Sequence, residues 1–320
     1  MYLPNIDNLQ ISKVTKNLLR VHQIKASGVF TRCDGLIKLP EKGVNRHAII
    51  IDLNIEPQYA NTIYNSFKPI SDYICSHTHL DHAAHVHVWN EKGVNIYAPV
   101  PEHTNLLDSY NFLNNFGFLE DLDLETGMSF VNSMGYKKCN EVISFKPGDT
   151  LRFDNFELQT ISFPGHSLGH VGFFFPSEKI LHISCMGFDQ TQPGVNGFGP
   201  WYGFRDCSIE QTIKDINLAE ELFLKKAIQL TSSHSYVVKN PDRTPFNYMR
   251  KKIEGNQEKV NYALKSLDHN LTIGEKTEKL LKLDIFFPKR KMKGAMLKIY
   301  AFWESWIIRK HIERSIRKNL

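Results

Sequence analysis

The hexapeptide His77-Thr78-His79-Leu80-Asp81-His82 brings four metal-capable side chains together within six positions. It follows an apolar run, residues 71–76, that is typical of a strand. His77 and His79 can point the same way, because side-chain direction along a strand repeats every second residue. Asp81 and His82 fall on the next turn or on the first helical positions, so their side chains can reach a second position in space, apart from that of His77 and His79. Packing these groups together without a metal would cost desolvation and mutual repulsion, so the segment predicts ligands for two adjacent metal positions.

Further histidines and a cysteine lie at the predicted ends of later strands. His166 lies in the turn Pro164-Gly165-His166, where we expect the glycines on either side to allow a strained or left-handed backbone. His234 ends a short apolar strand, and Cys185 ends the strand predicted over residues 179–185. Because a sheet can assemble a metal site from the ends of distant strands, these side chains are candidates for the same site.

Strand and helix patterns alternate along the first half of the chain, which indicates a layered α/β domain. Strands are predicted at residues 29–30, 48–52, 73–76, 94–98, 141–145, 151–153, 156–162, 171–175 and 227–230. Helices are predicted at residues 54–67, 81–93 and 208–226, the last with Ser208 as its N-cap.

Residues 101–140 interrupt this alternation with a sequence rich in Asn, Leu and Phe. Such a segment is typical either of a lid over a pocket or of a pair of surface helices. From Arg243 onward the sequence is helical and basic. We therefore predict a domain over residues 1–240 and a basic helical module over residues 241–320.

The composition is that of an ordinary globular protein, with 320 residues, 42% hydrophobic and 23% charged. Neither a signal peptide nor an apolar run long enough to cross a bilayer is visible. The five cysteines are odd in number and irregularly spaced, so they predict no disulfide framework and favour a reducing cytoplasm. Of the formal net charge of +5, the excess lies in residues 276–320, with 13 Lys and Arg against 4 Asp and Glu.

With these motifs in view, the sequence resembles the metallo-β-lactamase fold hydrolases. Residues 77–82 match the HxHxDH signature of that family at every defined position. Pro164-Gly165-His166 followed by Gly169-His170 matches its second motif, and His234 matches its last ligand. The resemblance covers about residues 10–240. It implies a four-layer αββα sandwich, here with a C-terminal helical appendage, and a metal site at one edge between the two sheets.

The resemblance also implies a ligand set. A first metal would be held by His77, His79 and His166, and a second by Asp81, His82 and His234. Zinc suits ligands rich in imidazole, and two zinc ions are expected, although iron and manganese fit the same ligand types.

One position departs from the family pattern. Most dinuclear members carry a bridging Asp where this sequence has Cys185, and the branches that use Cys there usually lack the equivalent of His82. We predict that Cys185 is a ligand, because thiolate binds zinc well. Two alternatives remain: Asp189 loops back as the bridge, or Cys185 is an inert buried thiol beside a weakened second site.

The implied activity is hydrolysis of an ester, a thioester such as an acyl-CoA, or a lactone, through attack by a metal-bound hydroxide. Asp81 would orient the nucleophile as well as bind metal. Tyr202, in the segment Gly197–Gly203 that resembles one found in part of the family, would donate a hydrogen bond to an oxyanion. The alternative is that Trp201 and Tyr202 simply fill core space.

Two other functions stay open, a di-iron redox or oxygen-sensing protein and a metal-binding protein with little turnover. His79 counts against the redox function, because the reductases of this fold typically have Glu there. We expect a small-molecule substrate and no nucleic-acid partner.

The apolar stripe on Met296, Tyr300, Trp303 and Ile307 predicts a helix that packs on its own domain or on a second subunit in a homodimer, although its basic flanks also suit a membrane or nucleic-acid surface. His85, His87 and His182 receive no role, and His170 that of a supporting hydrogen-bonder.

Overall fold

Two β-sheets pack face to face in the computed structural model, which describes residues 3–25, 32–40, 47–153, 156–187, 199–234 and 237–318. The first sheet has seven strands in sequence order: β1 (Leu9–Lys13), β2 (Leu18–Gln23), β3 (Gly35–Lys38), β4 (Ala48–Ile51), β5 (Ile70–Ile74), β6 (Asn95–Pro99) and β7 (Ile143–Phe145). The second has six strands in the order β13 (Val237–Lys239), β12 (Gln229–Thr231), β11 (Ile180–His182), β10 (Val171–Phe175), β9 (Phe156–Ser162) and β8 (Thr150–Phe153).

The described residues form ten α-helices. They are α1 (Pro57–Phe67), α2 (Leu80–Ala83), α3 (His87–Asn90), α4 (Ser109–Asn115), α5 (Phe118–Asp121), α6 (Leu124–Ser133), α7 (Ile209–Lys226), α8 (Thr244–Leu264), α9 (Ile273–Leu281) and α10 (Gly294–Lys318). Two short 3₁₀ helices span Glu102–Leu106 and Lys289–Lys291.

The region between the sheets is a continuous apolar core. Ile49, Ile51 and Ile74 project into it from the first sheet, and Phe173 and Phe175 meet them from the second. All four residues of β4 are buried, as expected for a central strand that is covered on both faces.

Each sheet also buries its outer face under helices. On the first sheet, Ala60 of α1 and Trp89 of α3 belong to one buried cluster with Ile50. On the second sheet, Leu181 shares a cluster with Phe223 of α7 and other helical residues. The predicted four-layer αββα sandwich is therefore confirmed.

Most of the predicted elements are present with shifted ends. The strands at residues 156–162 and 171–175 are confirmed in full, and α7 begins after Ser208, whose hydroxyl accepts from the Gln211 amide at 3.2 Å. The single helix predicted over residues 81–93 is two short helices, α2 and α3, joined by a turn. The strand predicted at residues 29–30 lies outside the described residues.

The C-terminal helices share the core of the sandwich. Phe302, Trp303 and Ile307 of α10 are buried in the same cluster as Leu181 of the second sheet. The apolar stripe therefore packs on its own chain, while the division at residue 240 and homodimerisation stay predictions. In the described part of the chain, no helix combines the length and apolar content that a membrane crossing requires.

A close approach in the first sheet yields a stability prediction. A Cβ added at Gly35 would lie 2.4 Å from the Leu53 Cα, a backbone atom that cannot turn away. We expect Gly35→Ala to lower the free energy of unfolding by about 1–3 kcal/mol in urea denaturation followed by circular dichroism.

The matched control is Gly255→Ala in α8, where a Cβ would meet open space. This variant should raise the free energy of unfolding by roughly 0.5–1 kcal/mol, because Ala favours a helix interior over Gly. Equal effects of the two substitutions would contradict the packing described for β3.

Candidate metal centre

Four chain segments bring their polar side chains to one edge of the sandwich. The hexapeptide of residues 77–82 follows β5, and His166 lies in the connection between β9 and β10. Cys185 follows β11, and His234 follows β12. The side chains predicted from these strand ends are therefore brought together by the sheet order.

The metal-capable atoms form overlapping groups, within each of which all donor atoms lie within 4.8 Å of one another. One group comprises Asp81, His82, Cys185 and His234. A second comprises His77, His79 and Asp81, and a third comprises His77, His166 and Cys185. Asp81 and Cys185 each belong to two groups. All seven predicted ligands thus lie in one connected cluster.

The distances within the cluster are short. Cys185 Sγ lies 3.2 Å from His234 Nε2, and Asp81 Oδ2 lies 3.2 Å from the same nitrogen. His82 Nε2 is 3.5 Å from Asp81 Oδ2. On the other side, the Nε2 atoms of His77 and His166 are 3.1 Å apart. Nitrogen, oxygen and sulfur donors therefore face one another across small gaps.

The imidazoles are oriented from behind through their Nδ1 atoms. His166 Nδ1 lies 3.1 Å from the Trp201 carbonyl oxygen, which can only accept, so this nitrogen carries the proton. His82 Nδ1 lies 2.9 Å from Asp52 Oδ1. In His166 the lone pair of Nε2 is left facing the cluster, and the Asp52 carboxylate orients the ring of His82 so that its Nε2 also faces the cluster; this is the arrangement that metal-ligating histidines show.

These residues fit a bound metal. The Nε2 atoms of His79 and His82 are buried, and neither has a hydrogen-bond partner among the described residues. Burial, and then the neighbouring imidazoles, hold the pKa values of His77 and His79 well below the usual range, and they lower the pKa of His166 to about 3. Neutral imidazoles crowded with their lone pairs together are favourable only when a cation lies between them. The mixture of imidazole, carboxylate and thiolate suits zinc.

Asp52 was not identified in the sequence, although it holds the cluster together. Its buried carboxylate lies 2.8 Å from Ser76 Oγ, 2.7 Å from Ser184 Oγ and 2.9 Å from Ser233 Oγ. These serines immediately precede three predicted ligands, namely His77, Cys185 and His234.

The Asp52 carboxylate stays charged in this buried position. Burial opposes the charge, but His82 and the hydrogen bonds from histidine hold the pKa of the carboxyl well below its usual range. The backbone of Asp52 is left-handed, with φ of 56°, a conformation that Asp adopts more readily than most residues. The only sequence signal was an Asp directly after the apolar run of β4.

Glu102 was also missed, and it joins the two histidine-bearing loops. Its carboxylate accepts from the Thr78 amide at 2.9 Å and from the Gly169 amide at 2.7 Å. The side chain is buried, which raises its pKa. In the sequence it is one polar residue of a polar stretch, and only the fold places it between the hexapeptide and the His166 turn.

The glycine before His166 serves a purpose other than the one we predicted. Gly165 does not have a left-handed backbone; a Cβ there would lie 2.3 Å from the Thr212 amide nitrogen of α7. Its own amide donates to Asp215 Oδ2 at 2.7 Å, and its carbonyl accepts from the Ser208 amide at 3.0 Å. Close packing on α7, rather than backbone strain, fixes the His166 turn.

Tyr202 is not brought to the cluster. It is fully buried, and its hydroxyl lies 2.9 Å from His311 Nε2 of α10 and 3.1 Å from Asn256 Nδ2 of α8. We therefore correct the prediction that it donates to an oxyanion, because its hydroxyl contacts side chains of the C-terminal helices instead. Asp189, the alternative bridge, lies outside the described residues.

The remaining histidines occupy supporting positions. His182 lies 2.9 Å from Thr231 Oγ1 and 3.1 Å from Ser233 Oγ, and His170 Nδ1 lies 3.2 Å from the Phe163 carbonyl oxygen. His85 and His87 belong to none of the donor groups found among the described residues.

A cavity opens from the cluster between residues 101–140, the loop before α7 and α10. His79, Asp81, His166 and Cys185 form its metal-facing end. Among the described residues, its other lining residues are all apolar: Leu80, Phe112, Phe118, Phe130, Trp201, Phe204 and Trp303. Residues 101–140 therefore cover a pocket, as in the lid alternative, and they do so as short helices.

The role of Asp52 can be tested through metal affinity. Asp52→Asn keeps the size of the side chain but removes the charge behind His82, and we expect the dissociation constant for zinc to rise about 10–100-fold. Competition with a chromophoric chelator measures this constant. Asp72→Asn is the control, because that carboxylate binds Ser71 and Asn95 elsewhere on the first sheet. Equal affinity in the two variants would contradict the orienting role.

The thiolate ligand can be tested by spectroscopy. In the cobalt-substituted protein we expect a near-ultraviolet thiolate-to-cobalt charge-transfer band, because Cys185 Sγ lies among the donors. Cys185→Ser should abolish this band, whereas Cys139→Ser, which removes a buried thiol from another core cluster, should keep it. A band that survives in Cys185→Ser would exclude Cys185 as its source.

Comparison with known proteins supports the architecture. No family model matches the sequence, and no curated protein matches it either. Among solved structures, the chain is similar to a metallo-β-lactamase family protein from Thermus thermophilus, with a TM-score of 0.63, 14% identity and coverage of 97% of this chain and 94% of that chain. It is similar to a β-lactamase domain protein from Burkholderia ambifaria, with a TM-score of 0.65, 12% identity and coverage of 95% and 88%. For the DIM-1 metallo-β-lactamase, the TM-score is 0.54, the identity 15% and the coverage 78% and 99%. The chain therefore has the metallo-β-lactamase fold.

Proposed function

We propose that the protein is a metal-dependent hydrolase that cleaves an ester, a thioester or a lactone. The observation that carries this proposal is the connected donor cluster of seven residues at the end of an apolar cavity. Phosphate-bearing substrates are usually recognised by Arg or Lys, and neither lines the described part of this cavity. An uncharged carbonyl compound suits such a wall better than a phosphodiester.

In this proposal the ligands divide as the resemblance implies, with Cys185 added to the second set. His77, His79 and His166 hold the first metal. The second metal is held by four residues, namely Asp81, His82, Cys185 and His234. Bound zinc ions supply Lewis acidity and lower the pKa of water toward neutrality.

The protein side chains supply orientation and proton transfer. Asp52 keeps His82 aligned, and the Trp201 carbonyl does the same for His166. Asp81 positions the attacking water and accepts its proton. The water oxygen bonds to the carbonyl carbon, the bond from that carbon to the alcohol or thiol breaks, and the proton passes to the departing oxygen or sulfur. The apolar wall excludes competing water.

The ligand set favours zinc over a redox metal. Cys185 offers a thiolate, which is a strong zinc ligand and is itself open to oxidation. Together with His79 at the position where reductases of this fold typically have Glu, this favours hydrolysis over the di-iron alternative.

A substrate panel tests the proposal. The zinc-loaded protein should hydrolyse at least one class among aryl esters, acyl thioesters and lactones, and removal of the metal with a chelator should abolish turnover until zinc is restored. His79→Ala should lose metal and activity together, because it removes one imidazole of the cluster.

His87→Asn is the matched control, since its ring contacts the Ala84 carbonyl rather than the donor groups. It should keep both metal and turnover. Loss of activity without loss of metal in His79→Ala would undercut the ligand assignment, and turnover that persists without metal would overturn the proposed function.

A further inference from the structure

The cavity beside the metal centre has an aromatic wall that the ligand assignment does not use. The His79 ring lies 4.6 Å from the Phe204 ring, centroid to centroid. Phe204 in turn lies 6.4 Å from Trp303, which is 5.8 Å from Phe130 and 5.4 Å from Trp201. The rings therefore form a continuous surface that begins at a candidate metal ligand and ends at the C-terminal helix.

This wall is assembled from three distant segments. Phe130 comes from α6, Phe204 from the loop before α7, and Trp303 from α10. Trp303 is only 4% exposed, and it lines the cavity next to Phe204, the ring that contacts His79. Apart from the groups of the metal-facing end, no charged side chain lines the cavity within the described residues. A charged substituent placed there would lose its hydration without gaining a partner.

The cavity is also small. Its volume is about 50 Å³, whereas an apolar cavity of about 150 Å³ binds benzene. It is larger than the roughly 10–15 Å³ that one water requires on this measure. The space therefore suits a few methylene groups and excludes a long chain or an aromatic ring.

We propose that this cavity receives the acyl chain of the substrate, that the chain is short and uncharged, and that Trp303 limits its length. The inference rests on the proposed function, since the carbonyl must lie at the metal centre for its chain to enter the cavity. It specifies the kind of acyl group that the substrate carries, and it names Trp303 as the residue that limits the length of that group.

The chain-length dependence of turnover tests this inference. With a series of thioesters that share one thiol, kcat/KM of the zinc-loaded protein should rise about fourfold per methylene from acetyl to butyryl, as each methylene leaves water. It should fall at least about tenfold by octanoyl, because a packed cavity resists extra methylenes. Succinyl, with its charged end, should be a poor substrate.

Trp303→Ala should move the optimum from butyryl toward octanoyl, read as the ratio of kcat/KM for octanoyl to that for butyryl within each variant. Trp303→Phe should give an intermediate profile. The control is Trp306→Ala on the same helix, because Trp306 does not line the cavity and lies instead against Arg309 and Lys310. It should keep the wild-type profile. The inference would be overturned if folded Trp303→Ala kept the wild-type profile, or if the wild-type protein showed equal kcat/KM for all acyl chain lengths.

A binding experiment separates this inference from the proposed function. Calorimetry of the zinc-loaded protein with acetate, butyrate, octanoate and succinate measures occupancy of the cavity without turnover. A preference for butyrate that Trp303→Ala shifts to octanoate would support the cavity assignment even if no thioester is hydrolysed, in which case the proposed function alone fails. Hydrolysis with neither binding nor turnover dependent on chain length would overturn the cavity assignment and leave the hydrolase proposal standing.

Discussion

One buried carboxylate, that of Asp52, orients most of the segments that form the candidate metal centre. It contacts the serines that precede His77, Cys185 and His234, and it lies behind His82. Three separate loops that carry predicted ligands are thus held in place by contacts with a single charged group at the end of β4. The strands around it are buried and closely packed, so a displacement of that group would be transmitted to three of the four loops that carry a predicted ligand.

The chemistry of the cluster follows from this arrangement. Burial keeps the imidazoles of His77, His79 and His166 neutral, and their orientation leaves nitrogen lone pairs facing inward. In such a site the facing lone pairs repel one another, and a bound cation would remove that repulsion. The aromatic cavity beside it has the opposite character, because its walls offer an apolar surface and few polar atoms. The functional proposals depend on this combination of a candidate metal centre and an adjacent apolar cavity.

The parts that could be predicted from the sequence are local. The hexapeptide carries its spacing in six consecutive residues, and the strands at residues 156–162 and 171–175 carry their apolar pattern within seven and five residues. Asp52 and Glu102 could not be found this way, because each acts through partners that are distant in sequence. Tyr202 was assigned from its neighbours in sequence, whereas its hydroxyl contacts are made with α8 and α10. The close approach of Gly165 to α7 was hidden for the same reason.

The most direct test of the central claim is the metal content of the wild-type protein, purified without chelators and measured by elemental mass spectrometry. The arrangement of Asp81 and Cys185 between two sets of imidazoles predicts about two zinc ions per chain. A chain that carries no transition metal, and takes up none when zinc is supplied, would contradict the account.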